Sequence, residues 1–366
     1  MGKSARLLLF VAACAMLAGC DTWHDDPPLP SAHEDLQANQ LFRRDARWVG
    51  GDGAYSVALG GERVLWLFGD SLIARDDRRS RSDAWFIRNS VGVHHGTDPR
   101  TAAMQFFWGQ RDGHPGSFFA EQGSLWFWPG GAALVAGPEA SSPALVVFGQ
   151  WLAQPGQGQW GFAAEGSAAF WIANPGEPPS AWQPKNLVLP DLGGYILGTA
   201  VTQHDGMVYI YGSKGDYHDY TVLRIPSAAL ASGSTSGAEC FTGGAWRAIG
   251  SFALPAQPLF ALGAPESSVH FDAGRQRWFM WQSEGFGATT LALRSADRPE
   301  GPWSQPRSFF RPVESYVEGA FVYAGKGHPE LSGADLWLTY VPSAFEEPPK
   351  WDNPDGYFPH FVAGSW

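Results

Sequence analysis

Positive charge is scarce in this sequence. Its 366 residues include 25 Lys and Arg against 36 Asp and Glu, which gives a formal net charge of −11. No basic stripe is available to neutralise phosphates, so the sequence argues against a nucleic-acid-binding protein. Charged residues make up only 17%, whereas 44% are hydrophobic and there are 18 Trp and 45 Gly. This composition is typical of an aromatic-rich, turn-rich globular protein with a large core, and it excludes a disordered chain.

The apolar run at residues 7–17 is too short to span a bilayer stably. Two basic residues precede it and the sequence LAGC (17–20) ends it, which resembles a bacterial lipoprotein signal. The resemblance implies a signal peptide over residues 1–19 and a lipid on Cys20; an ordinary secretory signal is the alternative. Asp21 implies retention on the periplasmic side of the inner membrane if the rule of enteric bacteria applies, and the outer membrane is expected otherwise. We therefore expect a lipid-anchored protein of the bacterial cell envelope.

Cysteine is also rare, with three in the chain. Cys14 leaves with the signal and Cys20 carries the lipid, so Cys240 has no partner, and the sequence predicts neither an intramolecular disulfide nor a cysteine-based metal site. Residues 20–41 are polar, acidic and proline-containing, as expected of a flexible tether. We expect the folded domain to occupy residues 42–366.

Five hydrophobic segments share one plan, a β-branched or aromatic run that ends in a small or polar residue. They are VLWLFGD (64–70), ALVVFGQ (144–150), MVYIYGS (207–213), RWFMWQS (277–283) and DLWLTYV (335–341). Each follows another apolar segment across a turn, which predicts five β-hairpins. In the fifth hairpin, the first strand is expected around HPEL (328–331).

The spacing of the hairpins is nearly regular. The anchor residues at the first strands are Asp52, Trp128, Thr199, Glu266 and His328, with intervals of 76, 71, 67 and 62 residues. Such a period, with four short strands in each unit, predicts an all-β fold, a single-domain five-bladed β-propeller. The last blade is expected to borrow a strand from residues 42–48 or to end with 357–361; joining the two ends of the chain would remove free sheet edges.

Strand direction predicts which residues meet. If the inner strand of every blade starts at the same face, its starting residues collect at one mouth of the central channel. The residues expected there are Asp52, Asp70, Asn89, Trp126, Trp128, Thr199, Glu266, His328 and Glu330. Carboxylates, indoles and a histidine suit a carbohydrate, because the apolar faces of sugars stack on aromatic rings while carboxylates and amides bind hydroxyls.

Several sequence runs carry a family resemblance. GGDGAYSVAL, LWLFGDS, WFWPGGAALV, PESSVHFDAGRQRWFMWQS and the connection SADRPEGPW (295–303), which is like the S-x-D-x-x-G-P-W blade connection, resemble the five-bladed propeller glycoside hydrolases that include the arabinanases. The similarity is closest to domain-of-unknown-function groups of the 4185 and 5005 type, some of whose members act as endo-D-arabinofuranases. The resemblance implies hydrolysis of a furanoside-containing or other envelope or plant polysaccharide, with Asp52 as general base. Glu266 matches the general acid by analogy, in blade four where the acid usually lies in blade three.

The chemistry is consistent with these roles. Glycoside hydrolysis needs a carboxylic acid to protonate the leaving oxygen and a carboxylate to activate water or attack carbon. Asp52 lies in a Gly-Gly-Asp-Gly setting that leaves room for substrate, although a turn aspartate bonded to backbone amides is the alternative. Asp70 is either a second catalytic carboxylate or a strand-end cap. Glu266 precedes an apolar strand and is either catalytic or salt-bridged to an arginine in the funnel.

The remaining candidates are binding residues. His328 is expected to bond a sugar hydroxyl, to orient a carboxylate, or to be structural, and Trp126 and Trp128 either stack on sugar or pack. No HExxH or paired-histidine spacing occurs, so we expect no metal and no cofactor, with structural calcium in the channel left open. We expect a monomer whose partner is a polysaccharide or oligosaccharide. The alternative function is a non-catalytic propeller that binds carbohydrate or a protein.

Overall fold

Five antiparallel sheets surround a central channel and form a five-bladed β-propeller, as the sequence predicts. This computed structural model describes residues 26–76, 83–137, 143–154, 161–216, 218–284, 287–344 and 357–366. The expected signal (1–19) and the expected lipidation site Cys20 lie outside the described residues. Within the described ranges, no helix has the length and hydrophobicity needed to cross a bilayer.

Each blade is built from consecutive strands that run from the channel outward. Blade one contains β2 (Trp48–Gly60), β3 (Arg63–Ala74), β5 (Ser90–His95) and β6 (Ala103–Phe107), with β4 (Ala84–Ile87) also paired to β3. Blade two contains β9 (Trp126–Val135), β10 (Ala144–Ala153), β11 (Ala163–Ile172) and β12 (Lys185–Leu187). Blade three contains β13 (Ile196–His204), β14 (Met207–Lys214), β15 (Asp219–Pro226), β16 (Glu239–Thr242) and β17 (Ala245–Ala248). Blade four contains β18 (Ser267–Asp272), β19 (Arg277–Ser283), β20 (Leu291–Ala296) and β21 (Arg307–Phe310).

Blade five and the connections complete the architecture. Blade five contains β22 (Ala320–Gly327), β23 (Leu336–Ala344), β24 (His360–Ser365) and, outermost, β1 (Ser31–Glu34). A separate hairpin joins β7 (Gly109–Arg111) to β8 (His114–Gly116). The helical elements are α1 (Ser227–Ala231) and the 3-10 segments Ala38–Arg43, Pro179–Ala181 and Val313–Tyr316.

The two ends of the described chain meet in blade five. Strand β1 pairs antiparallel with β24, from Ser31 opposite Ser365 to Glu34 opposite Val362. The two ends of the chain join, as predicted. The N-terminal strand that is added to blade five is residues 31–34, however, and not 42–48, because the outer edge of β24 pairs with the earlier segment. Leu41 in the following 3-10 segment is fully buried. The boundary expected at residue 42 is therefore too late, and residues 31–41 belong to the propeller and not to a flexible tether.

The fifth hairpin differs from the prediction. Its inner strand is β22, and HPEL (328–331) lies in the connection to β23. The run FVYAGKG (321–327) supplies the inner strand, and its lysine is buried with the rest of the run. His328 and Glu330 therefore follow the end of an inner strand and do not start one.

Hydrophobic packing lies chiefly between neighbouring blades. Each of five large clusters joins two adjacent sheets and so closes the ring face to face. Four tryptophans are almost fully buried in these layers, namely Trp48, Trp66, Trp281 and Trp337. Cys240 is buried and forms no disulfide within the described part of the chain.

Candidate active site

A β-bulge in blade one positions two carboxylates together. The pairing of β2 with β3 runs from Gly51 opposite Ser71 directly to Gly53 opposite Phe68, so Asp52 faces both Gly69 and Asp70. A bulge bends the strand and changes the direction of its side chains. Similar register shifts occur in the inner strands β13 and β22. We use the name site mouth for the end of the channel that holds Asp52, Asp70 and Glu266.

Two phenol groups hold the Asp52 carboxyl group. Tyr323 donates a hydrogen bond to Oδ2 of Asp52 at 2.9 Å, and Tyr357 donates to the same oxygen at 3.3 Å. The other oxygen, Oδ1, faces Gly69, where any added Cβ atom would collide with it. Gly69 therefore lets Oδ1 pack directly against the backbone of β3, a position that any side chain there would deny it.

The acidic pair has perturbed protonation. Burial, together with the negative charges of Asp70 and Glu266, raises the pKa of Asp52 well above its usual value, against the opposing effect of the two tyrosine donors. Burial likewise raises the pKa of Asp70 to about 6, although Trp128 and Arg88 lower it. Two neighbouring carboxyl groups whose titrations are linked in this way share protons as a pair. Such a pair can hold a proton near neutral pH.

Asp70 connects the acidic pair to an aromatic rim. The indole N–H of Trp128 donates to Oδ1 of Asp70 at 2.9 Å, and Arg88 lies 3.6 Å from Oδ2. The Arg88 guanidinium lies over the ring of Trp126 at 4.3 Å and over that of Phe86 at 4.9 Å. These contacts fix the position of Asp70 and partly compensate its charge. Asp70 is therefore held by a network of side chains and is not the strand-end cap that was considered from the sequence.

Glu266 forms an ion pair across the channel. Its partner is Lys326 in blade five, whose side chain is 1% exposed. The ammonium also donates to the Ala324 carbonyl at 2.9 Å and lies 4.2 Å from the ring centroid of Tyr55. Burial lowers the pKa of Lys326, and the charge of Glu266 opposes this shift. The salt bridge considered from the sequence is thus present, with a lysine in place of an arginine.

Three predicted binding residues are structural. Asn89 is fully buried. Its side-chain amide donates to the carbonyls of Phe119 and Phe127, at 3.1 and 2.9 Å, and accepts from the Phe119 N–H at 2.7 Å. No part of the amide is therefore left to bind sugar. Trp126 is 6% exposed beneath Arg88, and Thr199 is 5% exposed with its carbonyl accepting from Tyr55. All three predictions of substrate contact are wrong, because these side chains are buried in the packing of the ring.

Trp128 is the indole that remains available. It is partly exposed, and its ring packs edge to face on Phe162 at 4.7 Å. Because its N–H is already directed to Asp70, the orientation of the ring is fixed beside the acidic pair. This arrangement suits a stacking surface at a sugar-binding site.

His328 and Glu330 lie at the other end of the channel, which we call the far mouth. The ring nitrogens of His328 bond Ser56 and Thr339, and its Nδ1 is 3.9 Å from Glu330. These residues line a cavity of about 550 Å³ formed by the second halves of the inner strands. Burial and the charge of Lys326 hold the pKa of His328 well below its usual value. The prediction that His328 and Glu330 share the site mouth is therefore wrong.

The sequence reasoning missed four residues of the site mouth. These are Arg88, Tyr323, Lys326 and Tyr357. Lys326 had a usable signal, because it is the single charge in the run FVYAGKG and a buried lysine requires a partner. Tyr357 had no such signal in the sequence, because it lies 305 residues from Asp52 and only the closure of the ring brings the two side chains together.

A metal site is not built at the site mouth by the described residues. Among these residues, one group brings three His, Cys, Asp or Glu ligand atoms within 4.8 Å of one another, and it consists of Glu34, Glu314 and His360. That group lies in blade five, away from Asp52. The site mouth itself offers carboxyl groups, phenols and one buried ammonium.

Comparisons with known proteins agree with this architecture. A family model described as Domain of unknown function (DUF5005) matches residues 35–364. A solved structure of a "putative hydrolase" from Bacteroides ovatus is 19% identical, with a TM-score of 0.70 over 91% of this chain and 90% of that one. The GH62 α-L-arabinofuranosidase catalytic domain of Coprinopsis cinerea is 10% identical, with a TM-score of 0.49 over 92% and 97% of the two chains. No curated protein matches the sequence.

Proposed function

Because the chain belongs to the DUF5005 family of proteins and folds as a five-bladed β-propeller, we propose that it is a glycoside hydrolase whose site is the site mouth. The observation that carries the proposal is the pair Asp52 and Asp70, held in one bulge with raised pKa values and faced across the channel by Glu266. Carboxyl groups with perturbed protonation in a concave site are the groups that glycoside hydrolysis requires.

We assign the proton-donor role to Asp52. A general acid must hold its proton near working pH, and the raised pKa of Asp52 meets that requirement. We assign the activation of water to Glu266, whose carboxyl group is bound by the Lys326 ammonium. This assignment reverses the roles that the family resemblance implies. Asp70 supports it, because its negative charge helps to keep the proton on Asp52.

The substrate we propose is a furanoside-containing polysaccharide or oligosaccharide. Trp128 supports a saccharide, because its ring is partly exposed and fixed beside Asp70. The furanoside itself rests on the sequence resemblance.

The test is turnover by the purified protein on arabinans, fructans and bacterial envelope glycans, with released sugar measured by chromatography. We expect product from at least one glycan, a loss of 10²-fold or more in kcat for Asp52→Asn, and retained binding of the same glycan. His95→Ala is the matched control, because His95 is exposed on the outer part of blade one. If no glycan in the panel yields product, the protein is a carbohydrate- or protein-binding propeller and the hydrolase proposal fails.

We further propose that Cys20 carries a lipid that anchors the protein in the bacterial cell envelope. The proposal is supported by the signal-like sequence before Cys20 and by the position of Ser31 on the outermost strand of blade five, at the surface of the ring. Metabolic labelling with a radioactive fatty acid should label the wild-type protein and not Cys20→Ala. Label on Cys20→Ala, or none on the wild type, would contradict the anchor.

A further inference from the structure

Three potential metal ligands meet where the two ends of the chain join. Glu34 lies on β1, Glu314 on the 3-10 segment Val313–Tyr316 and His360 on β24. The Nδ1 atom of His360 is 2.8 Å from Oε1 of Glu34 and 3.2 Å from Oε1 of Glu314. We call this region the seam, defined by β1, β24 and the segments Ala38–Arg43 and Val313–Tyr316. The seam contributes nothing to the site mouth.

The charges at the seam are concentrated and poorly exposed. His360 is 3% exposed and Glu314 is 6% exposed, while the side chain of Glu34 is 18% exposed. Two carboxylates thus converge on a single imidazole nitrogen, which carries at most one proton. The position therefore favours a positive charge between the two carboxylates.

The donor set suits a transition metal. One imidazole nitrogen and two carboxylate oxygens are ligands that Zn²⁺ accepts, with bonds of about 2.0–2.2 Å, which place tetrahedral ligand atoms about 3.3 Å apart. The observed separations of 2.8 and 3.2 Å lie close to that spacing. Both carboxylates face the same nitrogen, Nδ1 of His360, so one ion can reach all three ligand atoms.

Outer hydrogen bonds orient the carboxylates. Asn39 donates to Oε1 of Glu34 at 2.8 Å, and the Tyr340 hydroxyl donates to Oε2 of Glu314 at 2.9 Å. Tyr340 therefore occupies one oxygen of Glu314 and directs the other, Oε1, toward His360. Hydrogen bonds of this kind position the ligands of metal sites.

We propose that Glu34, Glu314 and His360 bind one divalent transition-metal ion, for which Zn²⁺ is the probe, and that the ion fastens β1 to β24. The ligands come from distant parts of the sequence, so a bound ion would hold the folded ring and not the unfolded chain. Binding to the folded state alone raises thermal stability.

The experiment measures zinc on the full chain. The protein is stripped with a chelator, dialysed against Zn²⁺ and analysed by elemental mass spectrometry, with calorimetric titration and melting curves in parallel. We expect one Zn²⁺ per chain, a higher Tm with Zn²⁺, and a visible absorption band when Co²⁺ replaces it. Glu314→Gln and His360→Gln should lose the ion, and Glu34→Gln should bind it at least tenfold more weakly.

The matched control is His33→Ala, which changes an exposed residue of the same strand one position before Glu34. This variant should keep the wild-type stoichiometry, which separates the seam from nonspecific binding to surface histidines. If His360→Gln fails to fold, Glu34→Gln decides the question, because Glu34 is partly exposed at the outermost strand. No zinc retained by the wild type, or equal affinity in Glu34→Gln, would overturn the proposal and leave an ion pair bridged by a proton.

Discussion

Replacing Tyr323 by Phe tests which carboxyl group donates the proton. The Tyr323 hydroxyl donates to Oδ2 of Asp52 at 2.9 Å and stabilises the ionised carboxylate. A hydrogen bond to a charged group is worth about 1.5–3 kcal/mol, and one pKa unit corresponds to about 1.4 kcal/mol. Tyr323→Phe should therefore raise the pKa of Asp52 by about 1–2 units.

The assay is the pH dependence of kcat/KM on the most active glycan of the panel. A general acid must be protonated, so its deprotonation sets the alkaline limb of a bell-shaped profile. If Asp52 is the acid, Tyr323→Phe should move the alkaline limb to higher pH by about 1–2 units. Tyr357→Phe should move the same limb by a smaller amount, because its hydrogen bond is longer, at 3.3 Å.

Tyr316→Phe is the control, since Tyr316 is 69% exposed and far from the acidic pair in sequence and packing. It should leave both limbs unchanged. A shift of the acidic limb in Tyr323→Phe would show that Asp52 is the base, as the family resemblance implies. A profile in which neither limb moves, or in which the alkaline limb moves down, would refute the electrostatic reasoning itself.

Three further predictions concern stability. The folded-state pKa of Asp52 lies above the ordinary value of 3.8, so the wild type loses stability as pH rises from about 4 through that pKa. Asp52→Asn should therefore have a higher Tm than the wild type at pH 7 and a much smaller advantage at pH 4. Equal advantages at the two pH values would contradict this reasoning. Lys326→Met leaves Glu266 without its ammonium partner and should lower the free energy of unfolding, measured in urea, by about 3 kcal/mol. Adding Glu266→Gln to this variant should restore part of that free energy. No recovery would mean that lost packing, and not the unpaired charge, is the cause. A chain that starts at Leu36 lacks β1, so it should have a lower Tm and should associate on size-exclusion chromatography. A chain that starts at Ser31 should behave like the full chain. If the two truncated chains have the same Tm and elute alike, β1 is dispensable.

Local patterns predicted most of the fold. The alternation of apolar runs and turns gave four of the five hairpins. The fifth failed where the inner strand contains Ala324, Gly325 and Lys326, whose burial follows from packing against blade four and not from hydrophobicity. A strand that is buried by its neighbours leaves little trace in its own composition.

The candidate site was predicted in part, and for a related reason. Asp52, Asp70 and Glu266 were found because each carboxylate stands next to an apolar strand at a repeated position. Asn89, Trp126 and Thr199 are nevertheless buried in the packing layers, and Thr199 lies within the bulge of β13. Periodicity fixes which blade a residue belongs to, but a single extra residue changes the face on which its side chain lies.

The junction of β1 with β24 also determines when the ring can form. Ser31 hydrogen-bonds Ser365, 334 positions later, so the earliest strand of the propeller has no neighbour until the chain through Ser365 has left the ribosome. Blades one to four each consist of contiguous sequence and can assemble in order while synthesis continues, whereas blade five must wait. This delay keeps one sheet edge of blade five open until the last strand has been added.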